Sequence, residues 1–325
     1  MNGSSSWLPD AYYWATIISS IVAIFAFIIA FLEFDRKRKS DGSKTTPFNK
    51  KQETDGLVFT VGNVSFKMVR VEGDKFMMGS SKELDSDAYI NEEPVHQVSV
   101  SSYYIGQTEV TQSLWEVVMK KQSLWEVIMK IQSLRELVVK IKSLWIAFTK
   151  KQSLWLTFIN PSYFKGPNRP VESVSWNDCQ EFIKKLNQQT RMNFRLPTEE
   201  EWEYAARGGK KSDKFKYSGS DILEDVARYN LNSDNHTWNV ESRNPNELGL
   251  YDMSGNVWEW CGDPYRNYSN SVQTNQFVSS ADGPSLVLRG GSWNSYNQIC
   301  RVSFRISCNP NERHFNIGFR LALSE

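Results

Sequence analysis

The sequence contains little cysteine and little histidine. Its 325 residues include four cysteines, scattered between positions 179 and 308, and three histidines. Four scattered cysteines are too few for a disulfide scaffold. The sequence has no HxxxH or CxxC pair, so a zinc site is not expected. The formal net charge of +1 does not provide the basic surface typical of nucleic-acid-binding proteins, and we expect no nucleic-acid partner.

Charge is also missing from a long stretch near the N-terminus. Residues 11–32 carry no charged side chain, and about 20 helical residues cross a bilayer core. We therefore predict a single-pass transmembrane helix over 11–33. Because the basic cluster 36–39 follows at once, the globular domain is expected on the cytoplasmic side. A cleaved signal peptide and a buried core helix are the alternatives, and the first is disfavoured because no Lys or Arg precedes the run.

The rest of the chain reads as one domain behind a linker. Residues 34–56 are largely polar and are predicted to form the linker, and residues 57–325 are predicted to fold. Alternating apolar residues on both sides of Gly62 and Asn63 predict a β-hairpin over 59–69. His96 stands alone in a further predicted strand, so we interpret it as a packing or hydrogen-bonding residue and not a ligand.

A repeat with a period of ten interrupts this domain at residues 112–161. Its five copies are QSLWEVVMKK, QSLWEVIMKI, QSLRELVVKI, KSLWIAFTKK and QSLWLTFINP. Each copy is helix-forming, but ten residues turn an α-helix by about 1000°, so an apolar stripe winds around the helix instead of keeping one face. The repeat therefore breaks into shorter packed helices or meets a partner or membrane surface. A tandem expansion looped out of the domain is the simpler alternative.

Two helix starts are recognisable by their capping residues. Ser175 precedes an acid at position 178, which predicts a capped helix running to about residue 189 with Cys179 in the core. Thr198 and Glu201 form a second predicted capping box. The acids at this helix start have a structural explanation, so they are not predicted to be catalytic.

The segment 249–260, GLYDMSGNVWEW, places oxygen ligands close together. Asp252 and Glu259 offer carboxylates, and a turn at Gly255 to Val257 can direct backbone carbonyls to the same point. Hard oxygen ligands on a tight loop suit Ca²⁺ better than zinc or copper. The alternative is a glycine turn that leads into an aromatic core strand.

Eight short motifs occur in a fixed order across residues 57–325. They are GDKFMMG (73–79), EPVH (93–96), YYIGQTEVTQ (103–112), PVESVSW (170–176), RLPTEEEWEYA (195–205), the segment 249–260, RGGSW (289–293) and GFR (318–320). Together they resemble the formylglycine-generating enzyme, or sulfatase-modifying factor, family. The resemblance implies an α+β, irregular and loop-rich C-type-lectin-like fold, here with one N-terminal transmembrane helix and an inserted helical repeat. It also implies calcium held by side chains of Asp252 and Glu259 and by carbonyls of Gly255 and Val257.

The resemblance fails at the catalytic position. Active members of the family bind Cu(I) through two cysteines, five apart, shortly after the RGGS turn, and use O₂ to oxidise a substrate cysteine to formylglycine. Here Cys300 occupies the second position and Ser295 the first. Soft thiolates select Cu(I), and a serine hydroxyl is a poor ligand for it. We therefore interpret Cys300 as a buried core thiol, and neither Cu(I) nor oxidase activity is expected.

Between the family motifs, the C-terminal segment carries polar and aromatic side chains of the kind that line antibody loops. We predict a binding surface for an unknown protein or small ligand, formed by Asn294, Tyr296, Asn297, Phe304, Asn309, His314 and Phe315. The pattern resembles the variable C-terminus of lectin-fold proteins diversified by retroelements. An ordinary surface of polar loops is the alternative.

These observations predict a membrane-anchored binding module without cysteine-oxidase activity. The alternative is a formylglycine-generating oxidoreductase whose site is remodelled around Ser295 and Cys300. A third possibility is a structural anchor that oligomerises through the repeat at 112–161.

Overall fold

A computed structural model describes residues 48–119, 160–269, 273–274 and 285–325. The predicted transmembrane helix at 11–33 and most of the predicted repeat at 112–161 lie outside these residues. Within the described ranges, no helix combines the length and apolar character needed to cross a membrane.

Six strands form the main sheet, in the order β1-β2-β3-β6-β13-β7. The strands are β1 (Phe48–Glu53), β2 (Gly56–Val61), β3 (Val64–Val71), β6 (Tyr103–Gly106), β7 (Phe194–Arg195) and β13 (Ala322–Ser324). The strand β1 begins nine residues before the predicted domain start at 57. Residues 48–53 were predicted to belong to the linker because their side chains are mostly polar. They are polar because β1 is an edge strand whose side chains are mostly exposed.

The predicted hairpin at the start of the domain is confirmed. Strands β2 and β3 pair antiparallel, and Val61 faces Val64 across the Gly62–Asn63 turn. Gly62 has φ of 63°, a left-handed conformation that glycine adopts without steric penalty.

Two smaller sheets complete the β structure. One has the order β11-β10-β8-β12, and the other the order β4-β5-β9. Their strands are β4 (Asp74–Met78), β5 (His96–Val100), β8 (Trp258–Pro264), β9 (Gln273–Thr274), β10 (Leu286–Arg289), β11 (Arg305–Cys308) and β12 (Ile317–Gly318). The first of these sheets carries the C-terminal loops, because the chain leaves β11 into the loop 309–316 and returns in β12.

Four α-helices are present among the described residues: α1 (Gln112–Met119), α2 (Trp176–Thr190), α3 (Glu199–Ala206) and α4 (Leu223–Val226). The capping boxes predicted at Ser175 and Thr198 are confirmed, since each hydroxyl accepts from the amide three residues later. Cys179 is fully buried, as predicted. The α+β class is therefore confirmed.

Buried arginines tie the sheets and loops together. Arg289, Arg301, Arg305 and Arg320 are all at most 1% exposed. Each is paired with a carboxylate that is itself almost completely buried: Glu199 and Glu203 with Arg289, Glu92 with Arg301, Glu199 with Arg305, and Glu259 with Arg320. Breaking such a pair leaves an uncompensated charge inside the protein, which is strongly destabilising. These contacts therefore fix the paths of the loops that they join.

Candidate functional site

The predicted binding surface lies on the loops around β11 and β12. Six of its seven predicted residues have exposed side chains: Asn294, Tyr296, Asn297, Asn309, His314 and Phe315. Tyr296 is 65% exposed and Phe315 46% exposed, which is unusual for large aromatic side chains.

Phe304 does not belong to this surface, and its assignment as a binding residue is wrong. Only 7% of it is exposed. Its ring lies 5.2 Å from that of Tyr89 and 6.0 Å from that of Trp258, measured between centroids. The amide of Phe304 donates to the carbonyl of Arg301, which closes a turn. The ring packs into the interior and is not available to a ligand.

The structure adds a residue that the sequence analysis missed. Tyr163, from the connector 160–170, is 73% exposed, and its ring centroid lies 6.2 Å from that of Phe315. The ring of Trp293 contacts both Phe164 and Phe315. Its centroid lies 5.4 Å from that of Phe164 and 5.7 Å from that of Phe315. We call these four residues, Tyr163, Phe164, Trp293 and Phe315, the aromatic patch. Its two outer rings are available to a ligand, and its inner rings hold them in place.

The connector is positioned by Glu172. One carboxylate oxygen of Glu172 accepts from the amide of Phe164 at 2.8 Å, and the other accepts from the Ser173 hydroxyl at 2.7 Å. The amide of Glu172 donates to the Ser162 hydroxyl at 3.1 Å. Burial raises the pKa of Glu172 to about 7. A buried side chain therefore fixes the segment that presents Tyr163.

Hydrogen bonds between short polar side chains hold the neighbouring loop. The Ser292 hydroxyl donates to Asn294 Oδ1 at 2.8 Å, and Asn316 Nδ2 donates to the same oxygen at 3.0 Å. These contacts join the start of the surface at 294 to its end at 316, so the loops form one connected face.

Ser295 and Cys300 lie behind this face. Ser295 is 6% exposed, and its hydroxyl accepts from the amide of Ser292 at 2.9 Å. Cys300 is completely buried and free, in an apolar cluster with Tyr217, Leu223, Val226, Ala227 and Tyr229. Burial raises the pKa of its thiol to about 12, although the Ser292 amide lowers it in part. This position therefore offers copper one completely buried thiol and no second thiolate ligand.

The predicted calcium residues surround a buried acidic cluster. Glu259 accepts from Arg320 through both carboxylate oxygens, at 2.6 Å each, and from the Trp202 indole at 2.7 Å. Asp252 accepts from the amide of Glu241 through one oxygen, and its other oxygen is buried without a partner. Glu109, which the sequence analysis did not single out, also has one unpartnered buried oxygen.

The charges of this cluster fit a divalent cation. Three carboxylates face one guanidinium, which leaves two negative charges uncompensated when all three are ionised. Burial raises the pKa of Asp252 to about 6, and burial together with Asp252 and Glu259 raises the pKa of Glu109 well above its ordinary value. Asp252 has an oxygen free to bind a cation, whereas most of the acceptor capacity of Glu259 is used by Arg320 and Trp202. Gly255 and Val257 lie in the same buried turn, and Gly255 has φ of 84°.

Comparisons with known proteins agree with the fold. The profile of the family described as "Sulfatase-modifying factor enzyme 1-like domain" matches residues 35–325. The chain is 28% identical to "Chaperone protein LppX" of Paenibacillus barcinonensis over 318 residues, covering 82% of this chain and 93% of that one. It is 37% identical to the "Formylglycine-generating enzyme" of Streptomyces coelicolor over 174 residues, covering 48% of this chain and 53% of that protein. It is 34% identical over 168 residues to the bovine "Inactive C-alpha-formylglycine-generating enzyme 2", covering 47% of this chain and 50% of that protein.

Solved structures are similar as well. "Treponema denticola variable protein 1" matches with a TM-score of 0.65 and 29% identity, covering 84% of this chain and all of that one. PvdO from Pseudomonas aeruginosa matches with a TM-score of 0.57 and 21% identity, covering 87% of this chain and all of that one, which supports the fold alone.

Proposed function

Because the chain belongs to the family of sulfatase-modifying factor enzyme 1-like domains, we propose that it uses the family fold as a binding module, without cysteine-oxidase activity. A ligand or protein partner contacts the aromatic patch and the polar side chains next to it. The exposure of Tyr163 and Phe315, whose ring centroids lie 6.2 Å apart, carries this proposal. Such rings offer large contact areas with little loss of side-chain entropy, and they are enriched at the centres of protein interfaces.

The environment of Ser295 and Cys300 supports the same conclusion. A hydroxyl replaces one of the two thiols that active relatives use, and the remaining thiol is completely buried among apolar side chains. Cu(I) prefers a pair of soft thiolate ligands, and only one of these two positions can provide a thiolate. The name of the bovine relative, an inactive formylglycine-generating enzyme, indicates that the family fold persists without that activity.

Membrane attachment and calcium belong to the proposal too. The uncharged stretch at 11–32 supports a single-pass anchor, with the binding module on the cytoplasmic side because of the basic cluster at 36–39. The unpartnered oxygen of Asp252 and the excess negative charge around it support a calcium ion with a structural role. A calcium ion there would neutralise buried charge and take no part in ligand contact.

A peptide-display selection tests the binding module. The full chain is panned against a random peptide library, and the bound clones are measured against a Tyr163→Ser/Phe315→Ser double variant. Removing two exposed aromatic contacts is expected to weaken the affinity of the selected peptides by more than about tenfold. The matched control is Leu84→Ser, which removes a 72% exposed apolar side chain outside the surface, and it should leave binding unchanged. Clones that bind the double variant as well as the wild type would refute the surface assignment.

A further inference from the structure

We propose that Cys308, Glu312 and His314 form a metal site that binds Zn²⁺. The ligand atoms, one from each residue, all lie within 4.8 Å of one another. Glu312 Oε2 is at the centre of the group, 3.4 Å from Cys308 Sγ and 3.0 Å from His314 Nε2. In a tetrahedral zinc site, metal–ligand bonds of about 2.0 to 2.3 Å place neighbouring ligand atoms about 3.3 to 3.7 Å apart. The separations of Glu312 from Cys308 and from His314 are therefore close to that spacing before any metal enters, and Cys308 and His314 themselves lie within 4.8 Å of each other.

The three residues are presented by a loop that is held from two sides. Cys308 ends β11 and pairs with Leu286 of β10. The loop after it is closed by the amide of Glu312, which donates to the carbonyl of Asn309, and its far end is held by the amide of Ser173, which donates to the carbonyl of His314. The backbone that carries the three ligands is thus held by hydrogen bonds at both ends of the loop.

The local charges favour a divalent cation. Arg313 lies between two of the ligands in sequence, but its guanidinium is held by Asp178 at 2.6 and 2.8 Å. Its charge is therefore compensated away from the trio. A thiolate, a carboxylate and a neutral imidazole together carry two negative charges, which one Zn²⁺ balances. Binding displaces the thiol proton of Cys308 to solvent.

The ligand set also selects the metal. One sulfur, one nitrogen and one oxygen suit zinc, which is bound by Cys, His and Asp or Glu side chains, and they suit neither calcium nor magnesium. The chain has four cysteines, all of them among the described residues, and Cys308 is the one that is not fully buried. Glu312 and His314 are about half exposed, so three protein ligands leave one position open to water or to a donor atom of a partner. His314 also belongs to the predicted binding surface, but zinc binding by the trio does not require a ligand on that surface.

Metal titration of the untagged full chain, kept in detergent because of the predicted segment 11–33, tests the proposal. Zinc binding is measured by competition with a colorimetric chelator, and the site geometry is read from Co²⁺ substitution. We expect one zinc per chain and a thiolate-to-cobalt charge-transfer band with intense visible bands. Cys308→Ser and His314→Gln should each weaken zinc by more than about tenfold, since even second-shell partners of a metal contribute that much.

Glu181→Gln, which removes an exposed carboxylate from α2, is the control and should bind zinc like the wild type. Circular dichroism without metal verifies that each variant is folded, and Cys308→Ala replaces Cys308→Ser should the serine variant unfold. The proposal is overturned if the wild type binds no zinc or if its cobalt complex lacks the thiolate band. It is also overturned if the Cys308 and His314 variants bind zinc as tightly as the wild type.

Discussion

Replacing Arg320 with alanine is expected to destabilise the domain by about 3 to 5 kcal/mol, because it leaves the buried carboxylate of Glu259 without its partner. Both groups are completely buried, and the guanidinium binds both oxygens of Glu259. It also donates to the carbonyls of Gly106 and Tyr251, which come from distant parts of the chain. Its removal therefore leaves an unpaired charge and two unsatisfied carbonyls inside the protein.

Chemical unfolding followed by tryptophan fluorescence measures this effect. Arg70→Ala is the control, because it removes an arginine from an exposed pair with Glu325 and should leave stability close to that of the wild type. If Arg320→Ala lowers the free energy of unfolding by no more than Arg70→Ala does, the buried pair does not hold the loops together as described.

The second large effect has the opposite sign: in a chelator at pH 8, Asp252→Asn is expected to stabilise the domain by about 2 to 3 kcal/mol. Burial raises the pKa of Asp252 to about 6, above the ordinary 3.8. The folded state then binds the proton of Asp252 more tightly than the unfolded state does. Wild-type stability therefore falls as the pH rises from about 3.8 to about 6, and it levels off above pH 6. Asparagine keeps the acceptor for Glu241 and removes the charge.

Calcium should cancel most of this difference in stability between the wild type and the variant. An ion present at 100 times its dissociation constant stabilises the wild type by about 2.7 kcal/mol, and the variant is expected to lack this gain. Thermal unfolding between pH 4 and 8, with calcium or with chelator, gives the comparison. Asp178→Asn is the control of opposite sign, since Asp178 is paired with Arg313 and its pKa is lowered. A destabilised Asp252→Asn variant in chelator would contradict the excess of buried charge.

Local features of the fold could be predicted where they depend on neighbouring residues. The Gly62–Asn63 hairpin and the boxes at Ser175 and Thr198 follow from a turn residue or a cap three positions from its partner. Such contacts are complete within a few residues, so their signal is in the local sequence. The strand β1 was missed because an exposed edge strand has the polar composition of a linker.

The site depended on contacts that no local pattern reveals. Tyr163 meets Phe315 because Glu172 fixes the connector, and nothing in the spacing of these residues relates them. Glu109 joins Asp252 and Glu259 from a different part of the chain. Phe304 was assigned to the surface by composition, which does not show the direction of a side chain at a turn.

The zinc site shows the same limit at a shorter distance. A zinc site was not expected from the sequence, because the sequence contains no HxxxH or CxxC pair. Cys308, Glu312 and His314 are close in sequence but follow neither spacing, and only the turn after β11 brings them together. A search by spacing finds sites built on regular elements, whereas this trio is arranged by an irregular loop.

The central claim, that the chain binds through its loop face and does not oxidise cysteine at Cys300, is tested most directly by a turnover assay. The full chain is titrated with Cu(I) and then incubated under O₂ with a cysteine-containing sulfatase-type peptide, and the peptide mass is followed. We predict no copper bound at the Ser295–Cys300 position and no formylglycine product, both in the wild type and in the Cys300→Ser variant. Stoichiometric copper and formylglycine product in the wild type, both lost in Cys300→Ser, would contradict the account and make Cys300 a catalytic residue.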